Sequence, residues 1–123
     1  MQVGYSTRVA ANMFAQVRMV LEQRFASGIK ELAETGQKSA KGLVSGPSPS
    51  RPGEPPGIVT GTLRDSITIA QVDAYHWFLL AAAYYSLYLE FGTEKMAARP
   101  FMRPTAKTLH KMAPGIIQRA MRG

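Results

Sequence analysis

Residues 14–32 read FAQVRMVLEQRFASGIKEL, and this stretch decides the first element of the fold. Its large apolar residues recur at steps of three and four, which places them on one stripe of an α-helix. The stripe consists of Phe14, Val17, Leu21, Phe25, Ile29 and Leu32. The pattern predicts a helix from about Ser6 to Glu34, in which Gly28 is a weak point and Gly36 is the stop. Ser6 or Thr7 is expected to cap its start.

The middle of the chain predicts a small antiparallel sheet. Residues 66–72 alternate, with Ile67 and Ile69 on one face, and this indicates a strand with one buried face. Asp73-Ala74 fits a tight connection to a second strand. Residues 75–82, YHWFLLAA, are apolar on both faces and therefore predict a central strand.

Two further helices are predicted after the sheet. A helical stripe followed by Gly92 indicates a short helix, and its members are Tyr84, Leu87, Tyr88 and Phe91. Pro104 suits the first position of a last helix. Apolar residues keep helical phase across Pro114-Gly115, which favours one bent helix. The expected fold class is α+β, a single domain over residues 1–123, with a long N-terminal helix and a kinked C-terminal helix packed on a small antiparallel sheet.

Composition excludes several classes of protein. The chain has 123 residues and no cysteine, so we expect one domain without disulfides or thiolate metal sites. It has no apolar run long enough to cross a membrane, and its first residues do not predict a secretory signal. The net charge is +7, and residues 99–123 hold six basic residues and no acidic one. This basic segment is either a solvated helix face or a surface for a polyanion or an acidic protein.

Residues 45–57, SGPSPSRPGEPPG, hold five of the eight prolines of the chain. Such a segment forms no regular element and predicts a long loop. It is either a flexible linker or an arm that becomes ordered against a neighbouring subunit, and we expect the arm.

The sequence offers no recognisable active site. His76 follows Asp73 by three residues, a spacing that in one strand places the two side chains on opposite faces. His110 lies among lysines, and neither histidine belongs to a zinc-binding spacing. Serines occur without a nucleophile motif. We therefore expect no enzyme, no catalytic residue, no metal and no cofactor.

Three short motifs dominate the second half of the chain. They are TGTLRDSI at residues 60–67, YSLYLEFGT at residues 85–93 and RPFMRP at residues 99–104. Thr60 or Thr62 is expected to cap a short turn, and each proline of the last motif holds the residue before it in an extended shape. Together the motifs resemble the tail-component family of long-tailed phages. Ser86 and Thr105 depart from that family, in which alanine is usual at both positions.

The resemblance implies a structural subunit of a tailed-bacteriophage neck, a tail-completion or head–tail joining protein. Six copies would form a ring between the head-closure ring and the tail tube, with the genome DNA passing through its lumen. The expected location is the virion, and the host cytoplasm during assembly. The partners would be further copies of the chain, the head-closure or connector protein, and the tail terminator or tail tube protein, with no membrane.

The same resemblance assigns the motif residues to the fold and its interfaces rather than to catalysis. They are Gly61, Leu63, Arg64, Ser66, Ile67, Tyr85, Tyr88, Glu90, Phe91, Gly92, Thr93, Arg99, Pro100, Phe101, Arg103 and Pro104. Arg64 and Glu90 are candidates to form a pair, and Phe101 is expected to anchor the last helix to the sheet. Two alternatives stay open: a tail-terminator ring protein, and a basic nucleic-acid-binding module.

Overall fold

The computed structural model describes residues 7–46, Gly53 and residues 61–123. The elements in chain order are α1 (Thr7–Leu43), α2 (Thr62–Ser66), β1 (Ile67–Asp73), β2 (His76–Ala81), α3 (Ser86–Phe91) and α4 (Met102–Arg122). The fold is mostly helical with one small two-stranded antiparallel sheet, which confirms the α+β prediction. Most of the predicted arm, and the predicted caps Ser6 and Thr60, lie outside the described residues.

Helix α1 runs to Leu43, well past the predicted stop at Gly36. Gly28 and Gly36 both lie inside this helix and are buried. A Cβ at Gly36 would lie 2.7 Å from Leu109 Cδ1, and a Cβ at Gly28 would lie 2.9 Å from Ile117 Cδ1. The glycines therefore allow α4 to approach α1 closely, in antiparallel orientation, and Gly36 does not end the helix.

The sheet is a β-hairpin whose two strands pair from Ile67↔Ala81 to Asp73↔His76, with an irregularity after Gln71. Its inner face packs on α1, and Ile67 is fully buried there. On the outer face, Phe78 is 59% exposed and Leu80 is 44% exposed. The prediction of a central second strand is therefore wrong. In the described part of the chain β2 pairs only with β1, and one of its apolar faces meets solvent.

The core lies where the end of α1, α2, the start of β1 and the start of α4 meet. Its buried cluster consists of Ala40, Val44, Leu63, Ile67 and Phe101. Half-buried apolar residues from β2, α3 and the adjoining turns pack against it, among them Leu79, Ala81, Tyr85 and Leu89. The stripe predicted for α1 is buried only in part. Ile29 and Leu32 are half-buried, whereas the other four stripe residues, Phe14, Val17, Leu21 and Phe25, are exposed.

Helix α4 continues through Pro114 as one helix, as predicted. Pro104 is its third residue, not its first. Ile116 is buried and Leu109 is half-buried against α1, whereas Met112 is 42% exposed. Over the described ranges, no helix is both long and apolar enough to cross a membrane.

Candidate functional site

The three motifs meet at the first turn of α4, where Glu90 caps the helix. Glu90 lies in the last turn of α3 and is only 6% exposed. Its Oε2 accepts hydrogen bonds from the N–H groups of Phe101 (2.9 Å) and Met102 (3.0 Å), and its Oε1 accepts one from the N–H of Arg103 (2.9 Å). The first N–H groups of a helix have no carbonyl partner within the helix. The carboxylate of Glu90 supplies that partner to three of them.

Pro104 completes this helix start. It follows the three capped residues and has no N–H to satisfy. The first hydrogen bond within the turn then runs from the N–H of Thr105 to the carbonyl of Phe101, at 3.3 Å. The hydroxyl of Thr105 donates to the same carbonyl at 2.7 Å. The second proline of RPFMRP therefore stands at a position of the helix start where no N–H needs an acceptor.

The environment of Glu90 keeps its carboxyl group ionised. Burial by itself raises the pKa of a carboxyl group. The three backbone N–H groups and the guanidinium of Arg103, whose Nε is 3.6 Å from Oε1, outweigh that effect and hold the pKa of Glu90 below its ordinary value of 4.5. The positive end of the α4 dipole favours the same charge state.

The predicted pair between Arg64 and Glu90 is wrong. Arg64 Nε lies 3.3 Å from Asp65 Oδ1, and its side chain is 40% exposed. Both oxygens of Glu90 face the start of α4 instead. The sequence could not reveal the true partner of Glu90. The tertiary fold decides which carboxylate lies near the first N–H groups of a helix and accepts their hydrogen bonds.

Helix α2 carries the first motif into the core. Leu63 is 8% exposed and belongs to the buried cluster, and Ser66 Oγ donates to the carbonyl of Leu63 at 2.7 Å. Thr62 is the first residue of the helix, and Gly61 is its N-cap residue without a side-chain cap hydrogen bond. The expectation that Thr62 caps this turn is therefore wrong.

The loop from α3 to α4 is held in place by backbone hydrogen bonds and by close backbone contacts. Gly92 ends α3 with φ 77°, and a Cβ there would lie 2.9 Å from both the amide N of Ala98 and the carbonyl O of Met96. The N–H of Thr93 donates to the carbonyl of Met96 at 2.8 Å, and the N–H of Arg99 donates to the carbonyl of Leu89 at 2.6 Å. Only glycine combines this φ with such close backbone contact.

The predicted stripe of α3 is exposed. We call it the α3 aromatic surface, and its members are Tyr84 (87% exposed), Leu87 (68%), Tyr88 (55%) and Phe91 (62%). The other side of α3 and its preceding turn faces the protein, with Ser86 and Glu90 buried and Tyr85 and Leu89 packed on the core. Periodicity predicted the helix but not the side that is buried.

Arg103 connects the α3 aromatic surface to α4. Its Cζ lies 4.7 Å from the centroid of the Phe91 ring, a cation–π contact. The side chain is 60% exposed and also faces Glu90. One arginine thus contacts a buried carboxylate and the exposed aromatic ring beside it.

His76 and Asp73 form a pair that the sequence reasoning excluded. His76 Nδ1 is 2.8 Å from both carboxylate oxygens of Asp73. The two residues belong to different strands and are partners across the hairpin, so the rule for one strand does not apply. The N–H of Tyr75 (2.8 Å) and then His76 lower the pKa of Asp73. Within residues 7–46 and 61–123, no three His, Asp or Glu side chains come together in a way that could hold a metal.

The basic segment divides between ion pairing and an exposed face. Arg119 pairs with Glu31 of α1. Four exposed residues at helical spacing form what we call the α4 basic face: Arg103, which also pairs with Glu90, Lys107, Lys111 and Arg122. Arg99 precedes the helix and is half-buried. Thr105 and Ile116, on the opposite side of α4, are buried.

Comparison of the chain with family models, with curated proteins and with solved structures found no match.

Proposed function

We propose that this chain is a structural subunit of a tailed-bacteriophage neck, a tail-completion or head–tail joining protein that forms a ring between the head-closure ring and the tail tube. The observation that carries the proposal is the α3 aromatic surface. Leu87, Tyr88 and Phe91 lie on a helix of six residues and Tyr84 lies in the turn before it, and each of these four large side chains is more than half exposed. Soluble monomers rarely expose contiguous apolar patches, and aromatic residues are enriched at protein interfaces.

The backbone that carries the α3 aromatic surface is anchored at the end of α3, which suits a subunit that must dock repeatedly in one geometry. Glu90 holds the end of α3 against the start of α4 by accepting hydrogen bonds from three backbone N–H groups, and the N–H of Arg99 donates to the carbonyl of Leu89. The guanidinium of Arg103 lies over the face of the Phe91 ring. A surface ordered before binding loses less conformational entropy when a partner binds.

The motif residues also support the role that the resemblance implies. Leu63 and Ile67 of the first motif and Phe101 of the third share one buried cluster. Glu90 of the second motif caps the helix that begins in the third. The motifs thus form one connected unit with a buried side that stabilises the fold and an exposed side available for contact. A unit with one buried side and one exposed side is what we expect of motif residues that stabilise the fold and form an interface.

Solution size and partner binding test the proposal. Native mass spectrometry and negative-stain electron microscopy should show closed rings, either of the protein alone or after mixing with the products of the adjacent genes. Leu87→Ser, on the α3 aromatic surface, should abolish the complex with the partner ring. Lys107→Ser, an exposed change on α4, should leave it intact. A protein that stays monomeric and binds neither neighbour would contradict the proposal.

The same mixture distinguishes the two ring functions. Binding to both the head-closure protein and the tail tube supports tail completion, because that subunit stands between them. Binding to the tail tube alone supports the tail-terminator alternative.

A basic nucleic-acid-binding module is the second candidate, and the α4 basic face is the observation that favours it. Phosphate contacts make the affinity for DNA fall steeply with salt. In a plot of the logarithm of the binding constant against the logarithm of the salt concentration, each neutralised phosphate contributes about 0.9 to the downward slope. If Lys107 and Lys111 contact phosphates, replacing both by Gln should reduce that slope by roughly 2. DNA binding measured between low and physiological salt checks this, and an unchanged slope would exclude these two lysines as phosphate contacts.

A further inference from the structure

The N-terminal part of α1 extends beyond the elements that pack on the rest of that helix. Helix α4 reaches as far as Arg24, whose Nη1 donates to the carbonyl of Met121 at 3.1 Å. The tip of the hairpin contacts α1 through Tyr75 and Phe25, whose ring centroids are 5.5 Å apart. Residues 11–23 are all exposed.

This extension carries an apolar stripe, which we call the α1 ridge. Its members and their exposed fractions are Met13 (52%), Phe14 (75%), Val17 (57%) and Leu21 (43%). They lie at steps of one, three and four residues and continue the helix face on which Gly28 contacts α4. In proteins most of the stability of a helix comes from the packing of its apolar face, and the α1 ridge is exposed.

A second apolar surface of different shape lies on the hairpin. Its outer face presents Phe78 (59% exposed) and Leu80 (44%), and Val72 near the turn is 61% exposed. The inner face of the same hairpin already packs on α1. Since α1 is one continuous helix, it cannot cover both faces of the hairpin in its own subunit. Within residues 7–46 and 61–123, Phe78 and Leu80 stay exposed, so the outer face is open to a helix from another molecule.

We propose that the α1 ridge of one copy packs on the outer face of the hairpin of the next copy, and this inference rests on the proposed ring. A helix layer on each side of a sheet is a standard way to bury both of its faces. The lengths match, since the 13 exposed residues 11–23 of the helix span roughly 20 Å and strands of 7 and 6 residues span about 20 Å. A contact between two different surfaces is heterologous and can close into a ring.

The charges favour this occupant over the pairing of two ridges. Arg8 and Arg18 precede the first acidic residue of α1, Glu22, and because Arg18 forms an ion pair with Glu22 at 2.7 Å, Arg8 gives this end of the helix its net positive charge. The hairpin, residues 67–81, holds Asp73 and no lysine or arginine. The basic end of α1 is thus attracted to the hairpin of a neighbour, whereas two ridges packed together would bring basic segments side by side.

Because the chain has no cysteine, single cysteines can map this contact. Val17→Cys and Leu80→Cys are made in separate copies, mixed, and treated with a short bismaleimide. The matched control replaces Val17→Cys by Asn12→Cys, on the opposite side of α1. Val17 and Leu80 are both partly exposed in the parent protein. Thermal melts of each variant confirm folding before cross-linking. The expected result is a covalent dimer from the Val17→Cys and Leu80→Cys mixture and none from the control mixture.

The outcomes separate this inference from the proposed function. Rings that form but give no adduct between positions 17 and 80 would overturn the inference and leave the ring proposal standing. Adducts formed by Val17→Cys alone would show that ridges pair with each other, and would also overturn it. A protein that forms no oligomer, alone or with its neck partners, would overturn both.

Discussion

At the residue scale, Glu90 and Phe101 act on the same helix start in different ways. Phe101 is fully buried in the core, and its backbone carbonyl accepts the first hydrogen bond within the helix. Its backbone N–H is bound to Glu90. The side chain therefore fixes the position of α4 on the core, and the carboxylate satisfies the N–H groups that this position leaves buried.

Phe101→Ala should strongly destabilise the protein. Removal of a fully buried aromatic ring loses its transfer free energy and leaves a cavity, a cost of about 3–5 kcal/mol. Lys107→Ala is the control in the same helix, and because Lys107 is exposed its cost should be below about 0.5 kcal/mol. Urea unfolding monitored by circular dichroism measures both. If the two variants unfold alike, Phe101 is not the anchor of α4.

Glu90→Gln should destabilise the protein at neutral pH and reduce its sensitivity to acid. The amide keeps the shape of the side chain but has one acceptor oxygen, so at least one buried N–H loses its partner, at about 1–3 kcal/mol. Because the pKa of Glu90 is lower in the folded protein than its ordinary 4.5, its stabilisation is complete above that pH. It is lost as the pH falls through the folded pKa.

The free energy of unfolding, measured against pH, checks this expectation. The gap between parent and Glu90→Gln should be widest near neutral pH and should narrow below pH 4.5. Glu94→Gln is the control, since Glu94 is exposed in the neighbouring loop. A constant gap across the acid range would show that ionisation of Glu90 does not contribute to stability.

At the scale of elements, the sequence predicted the helices and strands better than their partners. The start of α1, the hairpin, α3 with its stop at Gly92, and an unbroken α4 follow from periodicity and turn residues, which act locally. The end of α1 did not follow, because Gly36 faces Leu109 of α4. That contact joins residues far apart in sequence.

The apolar pattern of the sequence also did not predict which apolar faces are buried. Residues 76–81 are apolar on both faces, which is typical of a central strand, yet one face is covered by α1 and the other is exposed. The stripes of α1 and α3 behave in the same way. An apolar face predicts that something covers it, and the sequence does not state whether the cover comes from the same chain.

Gly28→Ala should destabilise the α1–α4 pair although alanine favours helices. The new Cβ would lie 3.0 Å from the Cβ of Ala120, which cannot rotate away, so the two helices must separate. Overpacking costs about 1–3 kcal/mol, more than the roughly 1 kcal/mol gained in helix propensity. A lower urea midpoint is therefore expected.

Gly115→Ala is the matched control for this effect. Gly115 lies inside α4 with nothing within 4 Å of the new Cβ, so only the propensity gain applies. It should stabilise the protein by about 0.5–1 kcal/mol. If both alanines stabilise the protein equally, α1 and α4 are not in close contact at Gly28.

At the scale of the whole molecule, exposed large apolar residues outnumber buried apolar residues among those that the structure describes, 16 to 6. Within residues 7–46 and 61–123, six apolar residues are buried, whereas the α1 ridge, the outer hairpin face and the α3 aromatic surface each present large apolar side chains to solvent. A small domain with so modest a core has little stability of its own. Assembly would bury these surfaces and add to the stability of each subunit.

The melting temperature should therefore rise with protein concentration, because a state that is stabilised by association follows mass action. Each tenfold increase adds up to about 1.4 kcal/mol for a binding contact that is being saturated. Val17→Glu, on the α1 ridge, places a charge in the proposed contact and should make the melting temperature independent of concentration. Asn12→Glu adds the same charge on the opposite side of α1 and should keep the dependence of the parent. Scanning calorimetry over a hundredfold concentration range measures all three proteins, and a parent whose melting temperature stays constant would show that the subunit gains no stability from self-association.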